Sequence, residues 1–171
     1  MGPALSRTLI MVVLLALGPV ACGGNEQDPA SNDTTETSAT AAAEALEDTT
    51  VKPEIPKPAG SPPRNLEKDD IVTGKGPAAR AGDKVVVHYV GVSFSTGDEF
   101  DSSWVTGQPY PFPLGGGQVI EGWDKGVVGM RKGGRRKLTI PPRLGYGAEG
   151  SPPVIGPNET LVFVVDLLAI R

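Results

Sequence analysis

The sequence predicts an α+β domain, a mostly antiparallel sheet with a helix on one face, at the C-terminal end of a 171-residue chain. Three observations predict it. Lys84 to Val90 is a dense β-branched run, which suits a pleated strand. Thr160 to Ile170 alternates, placing Leu161, Phe163, Val165 and Leu167 on one face of a long final strand. Between them Val119 to Met130 has helical spacing, with Ile120, Trp123, Val127 and Met130 three or four apart.

The other elements follow in order. The domain begins near Arg64, and Ile71-Val72 reads as a short strand ended by the turn Gly74-Lys75-Gly76-Pro77. Glu99 to Ser102 is a strand after the turn Ser95-Thr96-Gly97-Asp98, and Pro111 to Leu114 is short and extended. Arg135 to Ile140 alternates, with Arg136, Leu138 and Ile140 on one face. Gly122, Gly126 and Gly129 interrupt the helical stretch. Each costs about 1 kcal/mol relative to Ala, so packing rather than propensity must hold that helix.

Upstream lie two segments of different character. Residues 1–21 read as an export signal: Arg7 supplies the positive end, and Leu9 to Leu17 is an apolar run of signal-peptide length. That run is too short for a mature membrane span, which needs ~20 apolar residues. It ends at Val20-Ala21-Cys22-Gly23, which resembles the lipobox of bacterial lipoproteins, with Pro19 standing where that pattern usually has Leu. The resemblance implies that Cys22 becomes the acylated N-terminus and anchors the chain to the bacterial cell membrane, outside the cytoplasm. Residues 22–63 are rich in Asp, Glu, Ser, Thr, Ala and Pro, with Leu46, Val51 and Ile55 as the only large apolar side chains. Such a stretch buries too little to offset its ordering entropy and reads as a disordered tether, with a transient helix over 34–45 and a stiff Pro-rich end at 52–58. A coil of ~40 residues spans about 35 Å, holding residues 64–171 off a membrane surface.

Composition excludes several classes. Net charge is −4, which argues against nucleic-acid binding. Residues 66–171 carry twelve acids and twelve bases, so the acidity belongs to the leading segment. One Cys and one His leave no internal disulfide framework and no His/Cys metal site, and His88 falls on the strand face opposite Tyr89. There is no Walker loop and no GxSxG elbow; Gly115-Gly116-Gly117 lacks the Lys-Ser/Thr of a phosphate loop and reads as a turn. The basic run Arg131, Lys132, Arg135, Arg136 and Lys137 reads as a solvated hairpin face. A reaction that breaks no covalent bond remains open, and it requires no cofactor and no metal.

Six motifs occur in order: Val86-Val87-His88-Tyr89-Val90-Gly91, Gly97-Asp98-Glu99-Phe100-Asp101-Ser102-Ser103, Val119-Ile120-Glu121-Gly122-Trp123, Lys137-Leu138-Thr139-Ile140-Pro141-Pro142, Tyr146-Gly147 and Leu161-Val162-Phe163. Over residues 66–171 the chain resembles the FKBP family of peptidyl-prolyl cis-trans isomerases, the macrolide-binding immunophilins. The resemblance implies a five-stranded antiparallel sheet wrapped around one short helix, with a pocket between them. It implies that Tyr89, Phe100, Asp101, Trp123, Tyr146 and Phe163 are the catalytic set, with Trp123 as floor and Tyr89, Phe100 and Phe163 as walls. Tyr110, Val119, Ile120 and Ile155 would contact the substrate, Tyr110 standing where many members have Phe. The Ile120 N–H and the Tyr146 hydroxyl would donate to ligand carbonyls.

From spacing alone Trp123, Tyr89 and Phe163 read as ordinary core residues, and Asp101 as the start of a turn. Two positions depart from the best-known members: Thr106 lies where they often have an Arg that pairs with the pocket Asp, and Ser151 where they often have His. The linking segment 92–99 is also one residue longer. These departures leave a rival reading, a binding module with little turnover, beside that of a monomeric isomerase of exported proline-containing polypeptides. A structural envelope lipoprotein is a third reading, which leaves the pocket unexplained.

Overall fold

The computed structural model describes residues 46–171; the predicted signal, Cys22 and the tether up to residue 45 lie outside the described residues. One antiparallel sheet contains β1 (Glu67–Val72), β2 (Lys84–Ser93), β3 (Glu99–Ser102), β4 (Tyr110–Pro113), β5 (Arg135–Ile140) and β6 (Leu161–Ile170). A short helix, α1 (Glu121–Gly126), and a 3-10 turn (Pro142–Leu144) complete the domain. The order across the sheet is β1-β5-β6-β2-β3, with β4 also on β2. One edge of β2 runs along β6 from Val85 to Ser93. Its other edge is shared, by β3 at Val90–Val92 and by β4 at Lys84–Val87. Six strands therefore occupy five positions, which is how the expected five become six.

The inner face holds the core. Leu161, Phe163, Val165 and Leu167 of β6 all point there, joined by Val85, Val87, Leu138 and Ile140. The helix is shorter than its spacing suggested. Val127 is already its C-cap, and the chain then turns so that the Gly129 N–H donates to Ala79 O. Val127, still αR at the cap, and Met130, in the turn beyond it, keep their core places past the last helical residue. The glycines explain both the shortness and the packing. A Cβ at Gly122 would stand 2.4 Å from Ile140 Cγ2, and one at Gly126 2.7 Å from Leu138 Cδ1. Helix and sheet approach closely because those positions are bare, and the helix gains from packing what it loses in propensity.

Two arginines correct the expectation of a solvated basic face. Arg131 and Lys132 are exposed, but Arg135 is 0% and Arg136 7% exposed. Arg136, on the inner face as its alternation predicted, donates to the Gly126 carbonyl at 2.7 Å and forks onto Asp70 at 2.6 and 2.9 Å. It thus satisfies an orphan carbonyl at the helix end with a cation, the sign that the helix dipole favours there. Arg135, one residue earlier, points to the outer face and forks onto Asp166 at 2.5 and 2.8 Å.

The outer face is also covered. Val90, Val92 and Val162 are buried there, with Ile55, Phe94 and Trp104 packed on them. His88 lies on this face, as alternation required, stacked on Trp104 at 4.4 Å and 2.9 Å from Ser103 Oγ. Much of the cover is the end of the supposed tether. Pro53 is buried, Ile55 half-buried, and Lys52 pairs with Glu99 at 2.7 Å. Residues 46–63 are therefore laid on the domain, a departure from the coil expected there. Counting large apolar residues missed that Ile55, with Pro53 beside it, is enough to cover part of a patch already made by the sheet.

Candidate active site

The site begins with a glycine. Along β2 the inward positions are Val87, Tyr89 and Gly91; the first is core and the second reaches the surface of a hollow. Gly91 lies opposite Phe163 on β6 and opposite Asp101 on β3. A Cβ at Gly91 would stand 2.6 Å from Phe163 Cε1 and 2.8 Å from Phe100 Cζ. The missing side chain lets those two rings meet edge to face, centroids 5.4 Å apart at 89°. Such a contact is favoured by the ring quadrupoles.

Trp123 closes the hollow from below. Just inside α1, its indole is 4% exposed and meets Tyr89 at 5.0 Å, Phe163 at 5.3 Å and Phe112 at 5.5 Å. Above it is a cavity of about 410 Å³ lined by Tyr89, Phe100, Asp101, Tyr110, Gln118, Val119, Ile120, Trp123, Tyr146 and Phe163. Nine of the ten residues singled out by sequence thus surround one cavity. The tenth, Ile155, is only 6% exposed, belongs to the core, and does not line it. Its loop is folded back by reciprocal backbone bonds between Ser151 and Ile155, which turn the side chain inward. Sequence reasoning missed Gln118, next to Val119 but in none of the motifs, and Phe112, which stacks on Tyr110 and supports the Trp123 ring from the core.

The polar groups of the cavity are few and specific. The Tyr89 hydroxyl donates to Asp101 Oδ2 at 2.7 Å. Burial, and then this bond, push the Tyr89 hydroxyl far above the ordinary tyrosine range. Tyr146 is pushed up too, by burial first and the Asp101 charge second. Both phenols therefore stay protonated donors at any physiological pH. Thr106 does not replace the Arg of other members: its hydroxyl donates to Ser103 O at 3.2 Å, and Tyr89 provides the hydrogen bond to Asp101. Ile120 is the N-cap of α1, with extended backbone, and its carbonyl accepts from the Trp123 and Asp124 N–H groups. Asp124 in turn accepts from the N–H groups of Gly115 at 2.8 Å and Gly117 at 2.9 Å, tying the loop that delivers residues 118–120 to the helix. The three glycines are thus a carboxylate-held turn. Among the described residues no group of three or more His, Cys, Asp or Glu is placed to hold a metal ion.

An aromatic hollow between a helix and an antiparallel sheet, with two phenol hydroxyls and one carboxylate in its lining, has the make-up of a preformed ligand-binding site. Residues 76–168 match the model of the family "FKBP-type peptidyl-prolyl cis-trans isomerase". The chain is 58% identical over 120 residues to an FK506-binding protein of Streptomyces anulatus, covering 70% of this chain and 97% of that one. It is 54% identical over 119 residues to a probable FK506-binding protein of Corynebacterium glutamicum, covering 69% and 98%. The crystal structure of AtFKBP13 superposes with a TM-score of 0.59 at 38% identity, covering 64% of this chain and 95% of that one. The chain belongs to the FKBP-type peptidyl-prolyl cis-trans isomerase family.

Proposed function

We propose that this isomerase acts outside the cytoplasm on X–Pro bonds of exported polypeptides, held as a monomer to the bacterial membrane by an acylated Cys22. The observation that carries the catalytic part is the cavity above Trp123, walled by Tyr89, Phe100 and Phe163. Rotation about an X–Pro bond meets a barrier of ~18–20 kcal/mol because the amide is conjugated. Conjugation also makes the planar amide more polar than the twisted one. A dry aromatic hollow therefore favours the twisted form over the flat one, and the rings fit the pyrrolidine by shape and dispersion. The Tyr146 hydroxyl and the Ile120 N–H hold flanking carbonyls, which fixes the rotating bond over the indole. A ~10⁴-fold acceleration asks for about 5.5 kcal/mol of such preference, and no proton or nucleophile has to move. The same hollow suits macrolides of the FK506 type, after which the relatives are named.

Exchange NMR on a proline peptide with the full chain tests the catalytic part. Trp123→Ala and Phe163→Ala should abolish most of the acceleration. Trp123→Phe should keep the fold, since it removes an indole N–H that is buried without a partner, yet still lower the rate. No acceleration above background by the folded protein would falsify the assignment. Anchoring rests on residues 1–23, above all on Cys22 being the chain's one cysteine at the lipobox position. Labelling with an alkyne fatty acid during bacterial expression should mark the wild-type chain and leave Cys22→Ser unmarked. Equal labelling of both, or of neither, refutes anchoring through that residue.

A further inference from the structure

Antiparallel sheets commonly face water on one side, and their strands then alternate apolar with polar. Here the outer side is largely apolar too: Val90 and Val92 of β2 and Val162 and Val164 of β6 are buried on it, between half-buried His88 and buried Asp166. Part of the cover comes from residues 46–63, and its polar anchor is unusual. Arg135 is fully buried and spends its Nε and one Nη2 bond on Asp166, itself 1% exposed. Two further donors reach the main chain of the leading segment, Nη1 to Leu46 O and Nη2 to Val51 O, each at 2.9 Å. A guanidinium held by a buried carboxylate thus pins the turn at 46–51, from which residues 52–63 run on without helix or strand. The segment suits it: Pro53, Pro56 and Pro58 have no N–H to strand on a sheet face, and their chain is stiff before it docks.

We propose that the outer face is a second, non-catalytic docking surface for extended proline-rich chain, occupied in cis by residues 46–63, and that this strap makes the chain leave the domain from the side opposite the isomerase pocket. The pocket opens on the face of Tyr89 and Phe163; the strap lies on the face of Val90 and Val162. A client polypeptide and the leading segment therefore do not compete for one side of the sheet. On the anchoring reading above, residues 23–45 are what separates Cys22 from the strap, fewer than in a tether running to residue 63. The strap itself does not depend on that reading.

Glu-specific proteolysis of the full chain carrying Cys22→Ser tests the strap without any lipid. The synthetic peptide 44–64 gives the rate of cutting after Glu54 when free. The bond after Glu54 should be cut at least ~10-fold more slowly in the chain than in the peptide. Pro53→Asp, which puts a charge at a buried strap position, should restore cutting after Glu54 to the rate of the matching peptide while isomerase activity stays unchanged. Arg135→Met should do the same for cutting where it folds. Cleavage after Glu54 at the free-peptide rate in the unsubstituted chain overturns the proposal, and so does protection that survives Pro53→Asp. Loss of isomerase activity in Pro53→Asp would also overturn it, since the strap would then be shaping the pocket.

Discussion

Gly91→Ala adds one methyl group where Phe100 and Phe163 meet. Its Cβ would lie 2.6 Å from one ring and 2.8 Å from the other. Carbon atoms prefer about 3.5–4.0 Å, so the rings must part by roughly 1 Å. Two effects on stability oppose each other. Overpacking of this sort costs about 1–3 kcal/mol. Removing a glycine from the unfolded chain returns about 0.4–1 kcal/mol, because β2 is ordinary extended backbone there. The expected net is a loss of about 1–2 kcal/mol, read as a small shift of the urea midpoint. Catalysis should suffer more. A displacement of about 1 Å at a positioning surface costs on the order of 10²-fold in rate. Both displaced rings are cavity walls, so kcat/KM on a proline peptide should fall about 30- to 100-fold with the protein still folded. Exchange NMR at fixed temperature, beside a urea titration, separates the two. A variant with wild-type kcat/KM refutes the claim that these rings act through their mutual position. A variant whose activity falls only as far as its folded fraction refutes it equally.

Three further outcomes follow from the same geometry. Asp124→Ala removes the acceptor of the Gly115 and Gly117 N–H groups, so KM for peptide should rise several-fold with a smaller change in kcat, measured by saturation kinetics. Tyr89 holds its proton more tightly folded than unfolded, so the stability linked to it is fully present below pH 10.0, its ordinary value, and is lost as pH rises beyond; Tyr89→Phe should flatten that alkaline decline in urea titrations. Glu159 is raised by burial, but hydrogen bonds from Ser93, Ser95 and the Phe94 backbone outweigh this and lower it overall. Its contribution is present above its ordinary 4.5 and is lost as pH falls below that, so Glu159→Gln should lose stability at pH 7 and narrow its gap to wild type in acid.

The fold was legible where periodicity and burial agree. Along β6, Leu161, Phe163, Val165 and Leu167 lie on the core face as alternation required. The helix was legible in place but not in length, because spacing records which residues are buried and not the backbone that buries them; Met130 is in the core as part of a turn. Site residues tied to motifs came together around the cavity. Ile155 did not, because the conformation of its loop depends on bonds between residues 151 and 155 that leave no periodic trace. Gln118 escaped for the same reason, carried to the cavity by a turn that Asp124 holds from the helix.

Arg135 and Arg136 show why a charged pair in a strand is the hardest signal to read. Composition makes them equivalent, and charge counting sends both to solvent. Alternation sends them to opposite faces, and each face then decides its role. Inward, Arg136 meets a helix end whose carbonyls need donors, and Asp70 balances its charge. Outward, Arg135 lies opposite Asp166 in the β5–β6 register, so the two are fixed as neighbours by the ladder before any side chain chooses a rotamer. Breaking such a buried pair costs about 3–5 kcal/mol, far more than an exposed pair is worth. A buried guanidinium needs partners beyond the carboxylate, and here the leading segment supplies two carbonyls for two further N–H groups. The burial of one arginine thus implies a covering chain. The sequence holds the signs of it in the apolar outward positions Val90, Val92 and Val162, which an uncovered sheet would not keep.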